Sequence, residues 1–328
     1  MFGAGGIART AHLPGFRADP ALASRLDIVA AVDPDPAARP LDRLPLFHDS
    51  AALGSVSPVD FIDICTPTSS HLPLALWALD QGFHVLCEKP VALDRTQAVT
   101  LADAARRAGR VVMPCHQYRF NPAWQQMGTW LRAGAIGHWH LAELAVYRAG
   151  ADAGAARGAP WRTMQADSAG GILLDHGTHL LYSILDLAGM PTAVRAWTGN
   201  LRHREYEVED TAQLTLEYPD RLTSIFLTWA ATHRENRVRF IGERGVIDWQ
   251  GGVLRLERTG ESPEIHDFTV QLDKRSYAGW FAALFGSFAD AIDRGSAPDA
   301  LDDVARVATV LEAAYGAART GCRVALAT

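Results

Sequence analysis

Lysine is nearly absent from this chain. Of its 31 Lys+Arg positions only Lys89 and Lys274 are lysine, and Lys89 stands in Cys87-Glu88-Lys89-Pro90 behind an apolar run. A buried ammonium can lose its proton near neutral pH, whereas a guanidinium stays charged. In a sequence that otherwise uses arginine, Lys89 is a candidate acid, base or proton-sharing donor, while Lys274, between Asp273 and Arg275, reads as surface. A second constellation is Asp175 and His179, four residues apart in a helical pattern and so on one face, with His176 pointing elsewhere. On a solvated helix that spacing usually marks a surface pair. Here Gly170-Gly171, Ile172, Leu173, Leu174, Leu180 and Leu181 predict a buried helix, and a buried ionisable pair needs compensation or a task.

The third constellation is Gly3-Ala4-Gly5-Gly6-Ile7-Ala8, which fits the G-x-G-x-x-G/A phosphate loop of a dinucleotide-binding unit. The first glycine makes the tight turn, the second admits the pyrophosphate close to the backbone, and small Ala8 lets helix and strand pack closely. Asp33 follows 25 residues after Ala8 at the end of the next apolar run. A carboxylate there accepts from ribose hydroxyls and repels a 2′-phosphate, favouring NAD; nearby Arg39 keeps NADP open.

These residues need a scaffold, and the first third supplies a pattern of short β-rich runs alternating with helical stretches, as in a parallel sheet wrapped by helices. The predicted strands are Leu26 to Val32, Leu46 to His48, Val59 to Cys65, Phe83 to Cys87 and Arg110 to Cys115. Ser69 or Ser70 is expected to cap a helix over His71 to Asp80, and Asp94 one over Arg95 to Ala108 ending at Gly109. Only Met1 and Phe2 precede the glycine loop, so the first strand is expected to be truncated. Unpaired backbone inside a sheet costs about 1 to 3 kcal/mol per group, which favours a true start several residues upstream over a damaged sheet.

After a helix over Pro122 to Arg132, strands are predicted at Trp139 to Arg148, Ala193 to Thr198, Thr211 to Tyr218, Arg221 to Ala230 and Arg237 to Ile241. Ala212, Leu214 and Leu216 alternate with Gln213, Thr215 and Glu217, which points to an antiparallel sheet with one covered face. Helices over Gly171 to Leu187 and Trp280 to Arg294 are expected to cover it, with a last helix over Ala300 to Arg319. Gly150 to Pro160 reads as a mobile loop.

Composition narrows the class. A length of 328 residues suits two domains, expected at 1–117 and 118–328. A net charge of −6 without a basic stripe argues against nucleic acid, and no apolar run is long enough to span a membrane. With no secretory leader and four dispersed cysteines, a cytoplasmic protein is expected. Cys65, Cys87 and Cys115 each end a predicted strand, but spacings of 22 and 28 favour apolar packing over zinc, so no metal is expected.

Taken together, the glycine loop, Cys65-Thr66-Pro67-Thr68-Ser69-Ser70-His71, Glu88-Lys89-Pro90, Tyr118-Arg119, Gly170 to His179, Glu209-Asp210-Thr211 and Gly242-Glu243-Arg244-Gly245 resemble the glucose-fructose oxidoreductase/inositol dehydrogenase/MocA family. The resemblance implies an α/β protein: an N-terminal Rossmann domain and a C-terminal α/β domain on a large open, mainly antiparallel sheet that mediates homodimers or homotetramers. It also implies Lys89, Asp175 and His179 as the catalytic residues. NAD, or NADP, would be held by Gly3, Gly5, Gly6, Ile7, Ala8, Asp33, Thr66, Pro67, His71, Glu88 and Lys89. The implied activity is hydride transfer between nicotinamide and a secondary alcohol or ketone of a sugar, cyclitol or related polyol.

Such a reaction needs a group to take the hydroxyl proton and a cation to stabilise the developing alkoxide. His179 is assigned the first role, Lys89 the second and Asp175 the orientation of substrate; the first two are exchangeable. Tyr118, Arg119, Tyr147, Arg148, Trp161 and Arg162 are candidate wall residues. Two departures matter: the short first strand, and Tyr182 three residues after His179, where many sugar and cyclitol members carry an acid. The alternatives are an NAD-dependent glycosidase acting by transient C3 oxidation and elimination, and a non-catalytic nucleotide sensor. The intact Lys89, Asp175, His179 set argues against the sensor.

Overall fold

The computed structural model describes residues 1–56, 58–151, 160–272 and 277–326. The chain divides into two compact units, Met1–Phe120 with Lys274–Ala305, and Asn121–Asp273 with Arg306–Thr328. Lys274 and most of the loop expected at Gly150 to Pro160 lie outside the described residues.

The first unit is built on parallel strands β1 (Ala31–Val32), β2 (Leu46–Phe47), β3 (Phe61–Ile64), β4 (His84–Cys87) and β5 (Val112–Pro114). β1 pairs with β2, and β3, β4 and β5 pair in that order. Phe2 joins the two sets by bridging Val32 on one side and Ile64 on the other. Its N–H donates to Asp63 O at 2.7 Å and its carbonyl accepts from Cys65 N–H at 2.7 Å, while Met1 O and Gly3 N–H pair with Val32. The spatial order is therefore β2, β1, Phe2, β3, β4, β5, that of a doubly wound dinucleotide fold. At this level the sheet is not left open, so the disfavoured alternative of a damaged sheet does not apply: Met1, Phe2 and Gly3 reach both neighbours because strand ladders use alternate residues on each side.

The strands are shorter than their apolar runs, because residues such as Leu26 and Ile28 bury their side chains outside the hydrogen-bonded ladder. Arg95–Ala108 forms as expected, with Asp94 Oδ1 accepting from Gln97 N–H at 2.8 Å and Gly109 at φ 61°. The helix His71–Asp80 starts differently. A 3-10 turn over Thr68–Ser70 precedes it, and the Ser70 hydroxyl is spent on Thr66 Oγ1 and Pro67 O, so no serine caps it.

One expected partnership is wrong. The helix Tyr277–Arg294 does not serve as cover for the second-half sheet; Phe281, Phe285 and Phe288 belong to the core of the first unit, with Ala8, Leu13, Phe16 and Leu26. Phe16 stacks on Phe285 at 4.0 Å, and a side chain at Gly15 would meet Phe281 Cβ at 2.8 Å. An apolar helical stripe records that it is buried, not against what. The helix Tyr277–Arg294 is therefore grouped with the first unit, although it follows the second-unit strands in sequence.

The second unit carries one sheet of nine strands: β6 (Trp139–Tyr147), β7 (Ala193–Gly199), β8 (Thr211–Glu217), β9 (Leu222–Thr228), β10 (Glu235–Gly242), β11 (Gly245–Gln250), β12 (Val253–Arg258), β13 (Glu264–Asp267) and β14 (Val324–Ala325). Their order is β13-β12-β11-β10-β6-β9-β8-β7-β14, antiparallel except for β6 beside β9. Ala142, Leu144, Val146, Leu214, Leu216, Ile225 and Leu227 point to the covered face, whereas Leu141, Trp197 and Leu222 on the other remain 39%, 47% and 43% exposed. Sequence reading missed β11 to β14. Gly251-Gly252, both at positive φ and closing β11 onto β12, was a hairpin signal flanked by apolar runs. Among the described residues no helix is long and apolar enough to cross a membrane.

Candidate active site

In the first unit the glycine loop sits where a phosphate loop must. Gly3 has φ 88°, and a Cβ there would lie 2.7 Å from Cys65 O, so the turn excludes any side chain. Gly5 and Gly6 are exposed, and a Cβ on either would meet nothing within 4 Å. That open cradle beside backbone amides fits a pyrophosphate. Ala8 is fully buried beneath it and Ile7 half-buried. Asp33 accepts from Ala4 N–H through Oδ2 at 2.8 Å and from Asp35 N–H through Oδ1 at 3.0 Å. It thus fixes the loop and stands half-buried at the strand end, where ribose hydroxyls are read. Arg39 is exposed.

The Thr66-Pro67 loop and the Glu88-Lys89-Pro90 turn follow β3 and β4. A cis peptide joins Lys89 to Pro90, and Lys89 is half-buried. His71 was expected to touch the cofactor, but both ring nitrogens face backbone carbonyls, Nδ1 to Pro90 O at 2.8 Å and Nε2 to Thr66 O at 2.9 Å. Its ring braces the two loops against each other. Burial pushes its pKa down. Glu88 is likewise buried, with its carboxylate turned inward to His12, a residue the sequence reading passed over. The three cysteines at these strand ends are buried, and burial pushes the Cys65 thiol up to about 12. They pack as protonated thiols.

In the second unit the segment bearing Asp175 and His179 opens with a π-helical turn over Leu173–Gly177 and continues as an α-helix over Thr178–Ala188. Single π turns are frequent at functional sites. Glycine is required before it: a Cβ on Gly171 would lie 2.0 Å from Glu209 O, and one on Gly170 2.4 Å from the Tyr315 hydroxyl. Glu209 binds this start, its backbone O accepting from Ile172 N–H at 3.1 Å and its carboxylate from Leu173 N–H at 3.2 Å and the Tyr315 hydroxyl at 2.9 Å. Burial raises the Glu209 pKa. Neighbouring Asp210 collects the N–H groups of Leu201, Arg202 and His203, which, against its burial, hold its pKa below the usual range.

Asp175 keeps partial exposure and lies 3.5 Å from Arg162 Nε and 3.3 Å from His176 Nδ1. Arg162 lies over the Trp161 ring, its guanidinium carbon 4.4 Å from the centroid. Trp161, Arg162 and Asp175 therefore form one polar group. His176, expected to point elsewhere, faces Asp175 across 3.3 Å because the π turn alters the rotation per residue. His179 is buried, and its Nδ1 lies 3.0 Å from the Tyr182 hydroxyl, itself buried.

The remaining wall residues have other work. Tyr118 sets its ring edge-on to Trp280, and Arg119 forms an ion pair with buried Asp303. Arg148 is buried, donating to Tyr147 O, Glu235 O and Asn236 Oδ1. Tyr147 lies on the open face of the sheet against Phe226 and His233. The Asp175 segment packs on the opposite face, where a side chain on Gly177 would meet Leu227 Cδ1 at 3.0 Å. Tyr147 cannot share a wall with it, since adjacent strand residues point to opposite faces.

Comparison with known proteins agrees with this architecture. Residues 1–116 match the family model described as oxidoreductase family, NAD-binding Rossmann fold, and residues 124–248 match the model of the GFO/IDH/MocA C-terminal domain. A D-apiose dehydrogenase of Paraburkholderia graminis is 31% identical over 211 residues, 64% of this chain and about half, 54%, of that enzyme. An oxidoreductase from Agrobacterium radiobacter, solved with NAD+, L-tartaric acid and magnesium, superposes with a TM-score of 0.85 at 21% identity, over 99% of this chain and 96% of the other. Levoglucosan dehydrogenase, solved with NADH and levoglucosan, gives 0.83 at 20% identity over 100% and 98%. At such identities these two likenesses speak for the fold. Two models of one family, laid end to end on a Rossmann unit and a nine-stranded unit, settle its membership: the chain belongs to the Gfo/Idh/MocA oxidoreductases, with NAD as the cofactor of its first unit.

Proposed function

We propose that this protein is an NAD-dependent dehydrogenase acting on a secondary alcohol, or the corresponding ketone, of a sugar, cyclitol or related polyol. The observation that carries the reading is the open cradle at Gly5 and Gly6, where a Cβ would meet nothing within 4 Å, beside Asp33 at the end of its strand. In the second unit the buried His179 ring is oriented by the Tyr182 hydroxyl, 3.0 Å from its Nδ1. When bound, NAD supplies the hydride acceptor. The first unit would hold it at Gly3, Gly5, Gly6 and Ala8, with Asp33 at the ribose and the Thr66-Pro67 loop alongside.

His179 takes the hydroxyl proton and returns it in the reductive direction. Lys89 donates to the oxygen on which negative charge develops. Asp175, with its charge partly met by Arg162 on the Trp161 ring, orients neighbouring hydroxyls. A polyol suits this mixed set of acceptor and fork donor. The sugar dehydrogenases among its relatives support the substrate class. A second copy of the chain covers the open face of the sheet, on which Leu141, Trp197 and Leu222 are exposed.

The test is a screen of polyols and sugar derivatives with NAD by NADH fluorescence, repeated on Lys89→Arg. Loss of at least about tenfold in kcat is expected, about 1.4 kcal/mol of transition-state stabilisation. Near-full turnover would remove the titratable amine from the mechanism. Aglycone release from a glycoside without net NADH would replace the dehydrogenase reading by oxidation-elimination.

A further inference from the structure

His12 is fully buried within the first unit, and each of its ring nitrogens faces a carboxylate. Nδ1 lies 3.0 Å from both oxygens of Asp63, and Nε2 lies 2.9 Å from Glu88 Oε1. An ionised carboxylate only accepts, and a neutral imidazole has one N–H, so both contacts are hydrogen bonds only if the ring is an imidazolium. The ring is walled by Phe281 and Phe285, centroids at 4.8 and 5.4 Å. Other titratable groups facing the cluster include the Cys65 thiol, 3.2 Å from Nδ1, the Cys115 thiol and the buried α-amino group of Met1 on the side of His12 and Asp63, and Lys89, His71 and the Cys87 thiol on the Glu88 side. Burial works against charge on His12, but the Asp63 carboxylate outweighs it and raises its pKa well above the ordinary value. Burial likewise opposes ionisation of Glu88, and the hydrogen bond and charge of His12 outweigh it, holding that carboxyl below its usual range.

We propose that His12 is a permanently protonated positioning residue that clamps Asp63 and Glu88 together, so that Glu88 serves the Glu88-Lys89-Pro90 turn from the interior instead of binding the cofactor. This replaces the cofactor role expected for Glu88. The turn is held from several sides: Glu88 N–H donates to Ile64 O at 2.9 Å, Glu88 Oε2 accepts from Lys89 N–H at 3.3 Å, and Pro90 O accepts from the His71 ring at 2.8 Å. Lys89 stands between these anchors. His12, Asp63 and Cys65, or His12, Glu88 and Cys115, also lie close enough to surround a cation. An imidazolium has no lone pair to offer, however, and burial keeps both thiols protonated. The triad is complete without a metal.

The functional consequence rests on the proposed role of Lys89, so the test uses readouts that need no turnover. Histidine-selective 15N NMR should show both His12 nitrogens protonated from about pH 5 to 9, where an ordinary imidazole titrates near 6.5. The chain has only two lysines, so competitive acetylation read by mass spectrometry reports Lys89 against Lys274 as internal reference. In Glu88→Gln and Asp63→Asn, which keep shape and fold where His12→Gln fails, the Lys89/Lys274 labelling ratio should change by about threefold or more. NADH affinity by fluorescence titration should stay within about threefold. A neutral His12 at pH 7, an unchanged labelling ratio in both variants, a tenfold loss of NADH affinity in Glu88→Gln, or one equivalent of bound zinc would each overturn the proposal. A fully active Lys89→Arg would instead remove the catalytic role of Lys89 and leave the triad standing.

Discussion

At the scale of single residues, the chemistry-bearing types are few and their environments differ sharply. His179 meets a phenol, a neutral partner that orients the ring without adding the charge a carboxylate would bring. Tyr182→Phe should therefore lower kcat by about tenfold with substrate KM little changed, since only proton transfer loses the hydrogen bond that orients the ring. An equal rise in KM would mean that Tyr182 shapes the pocket instead. His12 gives a second prediction, in stability. Its raised pKa means a contribution fully present below 6.5 and lost as pH rises through the raised value. The depressed pKa of Glu88 means a contribution present above 4.5 and lost as pH falls through the lowered value. Both are complete between 4.5 and 6.5. The urea stability gap between wild type and Glu88→Gln, about 3 kcal/mol for breaking a buried pair, should be widest there and close on acidification. A gap independent of pH would show that charge is not what the triad contributes.

Elements were legible where local chemistry alone determines them. The helix Arg95–Ala108 has its Asp94 cap and its left-handed Gly109, so both ends could be read from sequence. The hairpin at Gly251-Gly252 carried an equally local signal. The π turn over Leu173–Gly177 did not, because it answers to Glu209 and Tyr315, distant in sequence. The glycines separate two kinds of constraint. Gly171→Ala drives a methyl into backbone 2.0 Å away, and about 2 kcal/mol of overpacking should lower Tm by several degrees. Gly5→Ala meets no protein atom and should leave Tm unchanged within about 1 °C, yet weaken NADH binding through lost backbone approach. Thermal melts with and without NADH distinguish the two. Equal melting losses would deny that the cradle at Gly5 is kept open for a ligand.

On the scale of the whole molecule, the proposed association through the sheet is tested on exposed apolar side chains of its open face. The wild-type chain should elute as a dimer or tetramer by light scattering at micromolar concentration. Trp197→Glu should shift it toward monomer while leaving the far-UV spectrum intact, because Trp197 is 47% exposed and contributes little to the fold of one copy. A wild-type monomer would end that reading.

The sequence by itself determined the glycine loop and its acid, the buried setting of the Asp175 helix, the isolation of Lys89 and the alternation of the second sheet. Each is a matter of residue type and period over a few positions. Tertiary structure decided the rest: that Tyr277–Arg294 buries Phe281, Phe285 and Phe288 in the first unit, that Tyr147 faces away from the Asp175 helix, and that Glu88 turns inward to His12. The physical reason is common to all three. Periodicity says which face of an element is buried, but the identity of what it is buried against depends on chain paths spanning tens to hundreds of residues, as with the separation of 76 positions from His12 to Glu88.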